Sequence, residues 1–365
     1  MESENYLYPD ESAIEPQRPR KPVSKAWLAT HAALFLVGLT LLIWLVYGHW
    51  PQIEQSIVHA GWGILLVIGL NLLRHCCRAF SMYMAVAPEH RNFNYRSALF
   101  ARIGGEAVNF FTFLGPFVGD ATKTVLLRRN TPITQSASAV ILDNILYYIT
   151  VVMMVLAGVA VLLAKFGSAG SAMNKVLFAI VVVFFLAFVV FVVSLLKKPE
   201  PFSHVIRFLE RRGWAPGFVV KHTDAIRDVE KNVFQFYHDR RSDFFLIFFT
   251  SVVVHMLSVL EVYFVLGFIG EEPNVANAFI IESLTKVINA VFGFIPGTIG
   301  VYEGGNGLIA KTLHLGASTG VLNATGQGIS LALIRRAGIL VGTAIGVVIL
   351  IYRTAEGSAK RLKKQ

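Results

Sequence analysis

Charge is what this sequence has least of. Only 15% of its 365 residues are Asp, Glu, Lys or Arg, against roughly a quarter in soluble domains. Hydrophobic residues make up 55%, and they fall in long blocks instead of periodic stripes, which excludes a set of soluble domains and a disordered chain. Cysteine is nearly absent. The two present, Cys76 and Cys77, are adjacent inside an apolar segment, and neighbouring cysteines bridge only with strain. They read as small buried hydrophobes, not as a metal site with His75. No GxxxxGK[ST] phosphate loop occurs, so ATP is not expected as the direct driver. Closely spaced acidic pairs are missing and the ten histidines are scattered, so no metal, no cofactor and no catalytic residue is assigned. The net charge of +10 sits largely between and after the apolar blocks, where the positive-inside bias operates. It points to a lipid bilayer and not to nucleic acid.

What remains is an all-α polytopic membrane protein. Residues 1–25 form a polar, proline-bearing tail, residues 26–352 the membrane domain, and 353–365 a basic tail. About 20 apolar residues cross the hydrocarbon as a helix, and six full transmembrane helices follow from that length: Ala26–Gly48, Ala60–Ala87, Asn144–Ala164, Val176–Leu196, Phe244–Gly270 and Gly328–Tyr352. Residues 49–59 read as a loop between the first two. Two further apolar segments, Ser97–Leu127 and Val275–Leu313, are broken midway at Gly115-Pro116 and Pro296-Gly297. Proline removes a helical hydrogen bond, and in lipid the freed groups need protein or water. Each segment is therefore a kinked span, giving about eight spans, or a re-entrant hairpin.

Loop charge favours hairpins. Arg91, Arg96, Arg128, Arg129 and the ten Lys/Arg of residues 197–243 are kept on the inner side only if Ser97–Leu127 crosses an even number of times. The acidic loop Glu271-Glu272-Pro273 is outside, so the second hairpin enters from the opposite face. Both termini are expected in the cytoplasm. The hairpins also resemble each other: Asn109 precedes Pro116 by seven, and Asn289 precedes Pro296 by seven. An acid follows each break, Asp120 and Glu303. Related hairpins from opposite faces point to an inverted repeat with a site near the midplane. In residues 197–243, Phe202, Val205, Ile206 and Leu209 form one amphipathic stripe and Ile226, Val229, Val233 and Phe236 another, as in helices lying on an anionic leaflet.

Charges at the bilayer centre cost about 2.5–3.5 kcal/mol on insertion scales. Six acids and eight bases lie in the apolar segments, a surplus that suits an anionic ligand. Arg74 and Arg78 share one helix face and repel unless something negative lies between: a phosphate, or an acid such as Asp143 or Glu106. Arg102–Glu106 and Glu282–Lys286 have the spacing of internal salt bridges; Lys123 is a further base beside Asp120. Glu261 and Arg336 read as near-interface snorkellers. The stretch from Pro296 and Gly297 to Glu303 allows a sharp turn at membrane depth. Gly338, Gly342 and Gly346 form a small-residue packing stripe.

With these features assembled, the sequence resembles the flippase-like family related to the lysylphosphatidylglycerol synthase transmembrane region, including its hopanoid-associated members. The resemblance rests on residues 101–123 (ARIGGEAVNFFTFLGPFVGDATK), the Asp143-Asn144 helix start and residues 294–305 (FIPGTIGVYEGG), and it spans about residues 28–352. It implies an inner-membrane protein that moves a lipid or lipid-linked molecule between leaflets. The full synthases also carry a C-terminal aminoacyl-transferase domain, and its activity is not expected to carry over to this sequence. The expected partner is a membrane lipid (an anionic phospholipid, an isoprenoid or a lipid-linked molecule), with a lipid-biosynthesis enzyme as a further candidate. The alternatives are a membrane enzyme acting on a phospholipid or polyprenyl phosphate, and a scaffold for such an enzyme.

Overall fold

The computed structural model describes residues 25–128, 131–166, 175–176, 178–179, 182–183, 185–190, 208–212, 223–315 and 323–362. Among these, no strand is present. The longer helices are α1 (Lys25–Gly48), α2 (Trp50–Ala60), α3 (Gly63–Ala85), α4 (Tyr95–Phe111), α5 (Gly115–Leu127), α6 (Ile133–Phe166), α7 (Thr223–Asp239), α8 (Arg241–Phe268), α9 (Val275–Phe292), α10 (Val301–Thr312) and α11 (Ala324–Leu362). Five of them are long and apolar enough to cross a membrane, or six if the bent pair α1–α2 is one span. About half of the span expected over Val176–Leu196 lies outside the described residues. The tail before residue 25 and most of the first amphipathic stripe also lie outside them.

Broken segments reverse direction. At the end of α4, Leu114 takes a left-handed φ of 55°, and α5 returns along α4. The two helices cross where both chains lack a side chain: a Cβ at Gly119 would stand 2.7 Å from the Gly105 carbonyl oxygen. After α9, Gly297 (φ 58°) and Gly300 (φ 79°) supply the positive φ that turns the chain through a short 3-10 segment into α10. Both segments fold back as helical hairpins instead of running on as one kinked helix, and α9 alone has the length and apolarity of a span.

The hairpins enter from opposite ends. Arg240, before α8, donates to the Met84 and Val86 carbonyls at the end of α3. Thr131, before α6, donates to the His90 carbonyl. This end therefore holds the mouth of the α4–α5 hairpin. At the other end the start of α3 meets the end of α8, Gly63 lying against the Phe268 ring, and Lys165 reaches Asn277 at the start of α9. Both hairpins begin with an Asn cap. The Asn94 side chain accepts from the Ser97 N–H at 3.2 Å, and the Asn274 side chain from the Asn277 N–H at 3.1 Å, each satisfying an otherwise orphaned donor. Their tips meet inside the bundle, where Phe110 covers Gly297.

Packing repeats between halves. Helix α4 packs on α11 as α9 packs on α6, and α3 packs on α11 as α8 packs on α6. The stripe of Gly338, Gly342 and Gly346 does serve as a packing face: the first two lie against Asn71 and His75 of α3, the third against Ile103 and Ala107 of α4.

Three expectations are corrected. Residues 50–60 form a helix, not a loop; it bends 84° from α1, starts at Trp50-Pro51, and buries Ile53, Ser56 and Ala60 against the bundle. Asp143 does not start a helix, because α6 runs on for ten residues before it. Helix α7 does not rest on a leaflet by its apolar face: Phe236 and Val233 join a core with Leu142, Leu146 and Ile247.

Candidate functional site

A cavity of about 470 Å³ lies among α3, α6, α8, α9, α11 and the first hairpin, bounded by the tips of both hairpins. It is lined by five bases (Arg74, Arg78, Arg102, Lys123 and Lys286) and two acids (Glu106 and Asp120). Asn109, Asn289 and Gly297 complete the ten sequence-predicted residues that the fold brings to its wall.

Each lining base has an acid. Arg74 pairs with Glu261 at 2.7 Å and donates to Ser258 at 2.6 Å. Arg78 pairs with Asp143 at 2.6 Å and reaches Asn144 at 3.1 Å. Arg74 and Arg78 are separately neutralised, and Asp143 rather than Glu106 serves Arg78. Arg102 pairs with Glu106 at 3.0 Å and lies 3.7 Å from Asp143. Lys123 bridges Glu106 at 2.8 Å and Asp120 at 2.9 Å, which ties α5 to α4. Asn109 donates to Glu106, and Asn144 to Asp120. Lys286 pairs with Glu282 at 2.8 Å.

The four remaining candidates stand behind the wall. Asp143 and Glu282 hold Arg78 and Lys286 from the rear. Pro296 is buried at the second break. Glu303 is fully buried; it accepts from the Gly300 N–H at 2.8 Å and pairs with Arg336, which also donates to the Gly297 carbonyl at 3.0 Å. Glu303 therefore fastens the second hairpin's turn to α11. Glu261 and Arg336 are not snorkellers: both are buried, and Glu261 also pairs with Arg335 at 2.9 Å. Lys311, in contrast, is exposed at the end of α10.

A sign reversal relates the halves. In the first, bases from α3 and α4 (Arg78 and Arg102) converge on one acid of α6, Asp143. In the second, acids from α8 and α9 (Glu261 and Glu282) converge on one base of α11, Arg335. The signal was present in the sequence. Asn94, Arg102, Glu106, Asn109 and Pro116 each stand 180 positions before Asn274, Glu282, Lys286, Asn289 and Pro296, with the charges inverted.

The missed residues are mostly uncharged. Asn71, His75, Asn144, Tyr148 and Thr343 line the cavity, and so does Tyr147. The Arg78 guanidinium lies 3.9 Å above the Tyr147 ring centroid, the Lys286 ammonium is 3.3 Å from its hydroxyl, and His255 stacks on it at 4.8 Å. Among the described residues, no cluster of three or more His, Cys, Asp or Glu has the arrangement to hold a metal ion.

Apolar spans around a charged cavity, with two opposed helical hairpins, define an integral membrane protein of the polytopic helical class. Residues 31–346 match the family model of the lysylphosphatidylglycerol synthase TM region, and the chain belongs to that family. No curated protein and no solved structure matches it.

Proposed function

We propose that the protein moves a lipid with a charged, phosphate-bearing headgroup between the leaflets of the cell membrane, as a transporter and not as an enzyme, without direct use of ATP. Both termini are on the cytoplasmic side in this reading, as the basic loops require. The observation that carries it is the cavity itself: seven charged side chains face one space at the junction of two opposed hairpins. Charges at membrane depth are retained where they face a partner or an aqueous cavity, and sites at the meeting of broken helices are a recurring arrangement in transporters. The headgroup would enter the cavity while the tails stay in lipid.

The test is a leaflet-equilibration assay in proteoliposomes with fluorescent anionic and zwitterionic lipids. The wild type should accelerate equilibration. Asn109→Trp and Asn289→Trp, which fill the cavity from either hairpin, should abolish the acceleration at equal incorporation. No acceleration for any lipid, with or without a proton gradient, overturns the reading. So does chemical turnover of a lipid in detergent, where no leaflets exist.

A further inference from the structure

We propose that the ligand's phosphate is bound between Arg78 and Lys286, on either side of Tyr147, so that one anionic group joins the two halves of the protein. The pair Arg74/Arg78, suggested by helical spacing, is not the subsite. Arg74 already uses both terminal nitrogens, one on Glu261 and one on Ser258, and among the described residues only its Nε lacks an acceptor. Arg78 uses only Nη2; among the described residues, its Nε and Nη1 have no acceptor although the side chain is 4% exposed. Buried guanidinium donors without an acceptor are costly, and an anion is the acceptor that suits them best.

Lys286 supplies the second charge. An ammonium has three donors; Glu282 and the Tyr147 hydroxyl take two, and the Lys286 side chain faces the cavity. Tyr147 holds the two cations in place, one over its ring and one at its hydroxyl. Glu106 and Asp120 also line the cavity, but Lys123 holds both and Arg102 holds Glu106 as well, so the bases of the first hairpin are already committed to acids. Arg78 belongs to α3, Tyr147 to α6 and Lys286 to α9, so the phosphate touches both halves. The inference rests on the translocation reading only for the lipid nature of the ligand.

The experiment measures binding, not transport, by full-length protein in nanodiscs. The probes are dihexanoyl phosphatidic acid, dihexanoylglycerol and glycerol 3-phosphate. Lys286→Gln should weaken phosphatidic acid binding about tenfold or more, as expected for one charge-assisted contact. Lys286→Arg should restore it. Tyr147→Phe, which keeps the ring, should lose roughly threefold or more, and it decides the matter if Lys286→Gln is not monodisperse. Lys311→Gln, which removes an exposed cation outside the cavity, should leave affinity within about threefold. Equal loss in that control, or an unchanged affinity in Lys286→Gln, overturns the subsite, and so does wild-type binding of phosphatidic acid no tighter than of dihexanoylglycerol. Glycerol 3-phosphate binding as tightly as phosphatidic acid upholds the subsite but overturns the lipid reading. Binding as expected without leaflet exchange upholds the subsite and removes the proposed function.

Discussion

Arg335→Gln offers the sharpest test of what holds the second half together. Arg335 is 3% exposed and joins three helices, donating to Glu261 of α8 at 2.9 Å and Glu282 of α9 at 2.6 Å from its place on α11. Each contact is a charge-assisted hydrogen bond, worth about 1.5–3 kcal/mol. Removing one partner of a buried ionic cluster costs about 3–5 kcal/mol. The lower part of that range is expected here, because Glu261 retains Arg74 and Glu282 retains Lys286. At roughly 2 °C per kcal/mol for a chain of this size, the midpoint of thermal unfolding should fall by about 6–8 °C. Size-exclusion chromatography of heated, detergent-solubilised protein would measure it. Glu282→Gln should cost less, since Arg335 keeps Glu261 and Lys286 keeps Tyr147. A fall of less than about 2 °C for Arg335→Gln, or a larger fall for Glu282→Gln, would refute the assignment of Arg335 as the hub.

Gly346→Leu should destabilise strongly, because even a Cβ there would stand 2.7 Å from Ala107 Cβ; the expected result is loss of monodisperse protein on chromatography, whereas Leu340→Ala on an exposed position of the same helix should be tolerated. Leu114→Gly should act in the opposite direction. Leu114 sits at φ 55° and is 44% exposed, so relief of the left-handed strain, about 1 kcal/mol, should leave the unfolding midpoint unchanged or slightly raised.

The spans and the hairpins were legible because both follow from one-dimensional signals, run length and a proline with glycine at mid-run. Loop charges also put the two hairpins on opposite faces, and the contacts at the two ends of the bundle show them opening at opposite ends. Helix α2 escaped because eleven residues with a polar face resemble a loop when only apolar runs are sought. The start of α6 escaped for the reverse reason: Asp143 ended the charge-free run, yet a buried acid is tolerated mid-helix once Arg78 and Arg102 meet it. Arg102–Glu106 and Glu282–Lys286 were readable as four-residue spacings. The partner of Arg74 was not, because Glu261 comes from another helix that only the fold brings near. Tyr147 gave no sign at all, since an aromatic residue in an apolar run is ordinary until cations are placed on it.

The pairing of Arg74 across the bundle also bears on biogenesis. Its partner Ser258 is 184 residues further along the chain, and Glu261 follows one helical turn later. At about 5–20 residues per second, the ribosome reaches them roughly 10–40 s after Arg74 has been made. During that interval α3 carries a cation whose acid does not yet exist, at a depth where insertion costs about 2.5–3.5 kcal/mol. Arg74 is thus neutralised only once α8 has been made, and α11, which packs on α3 and α4 and carries Arg335 and Arg336, can dock only after that.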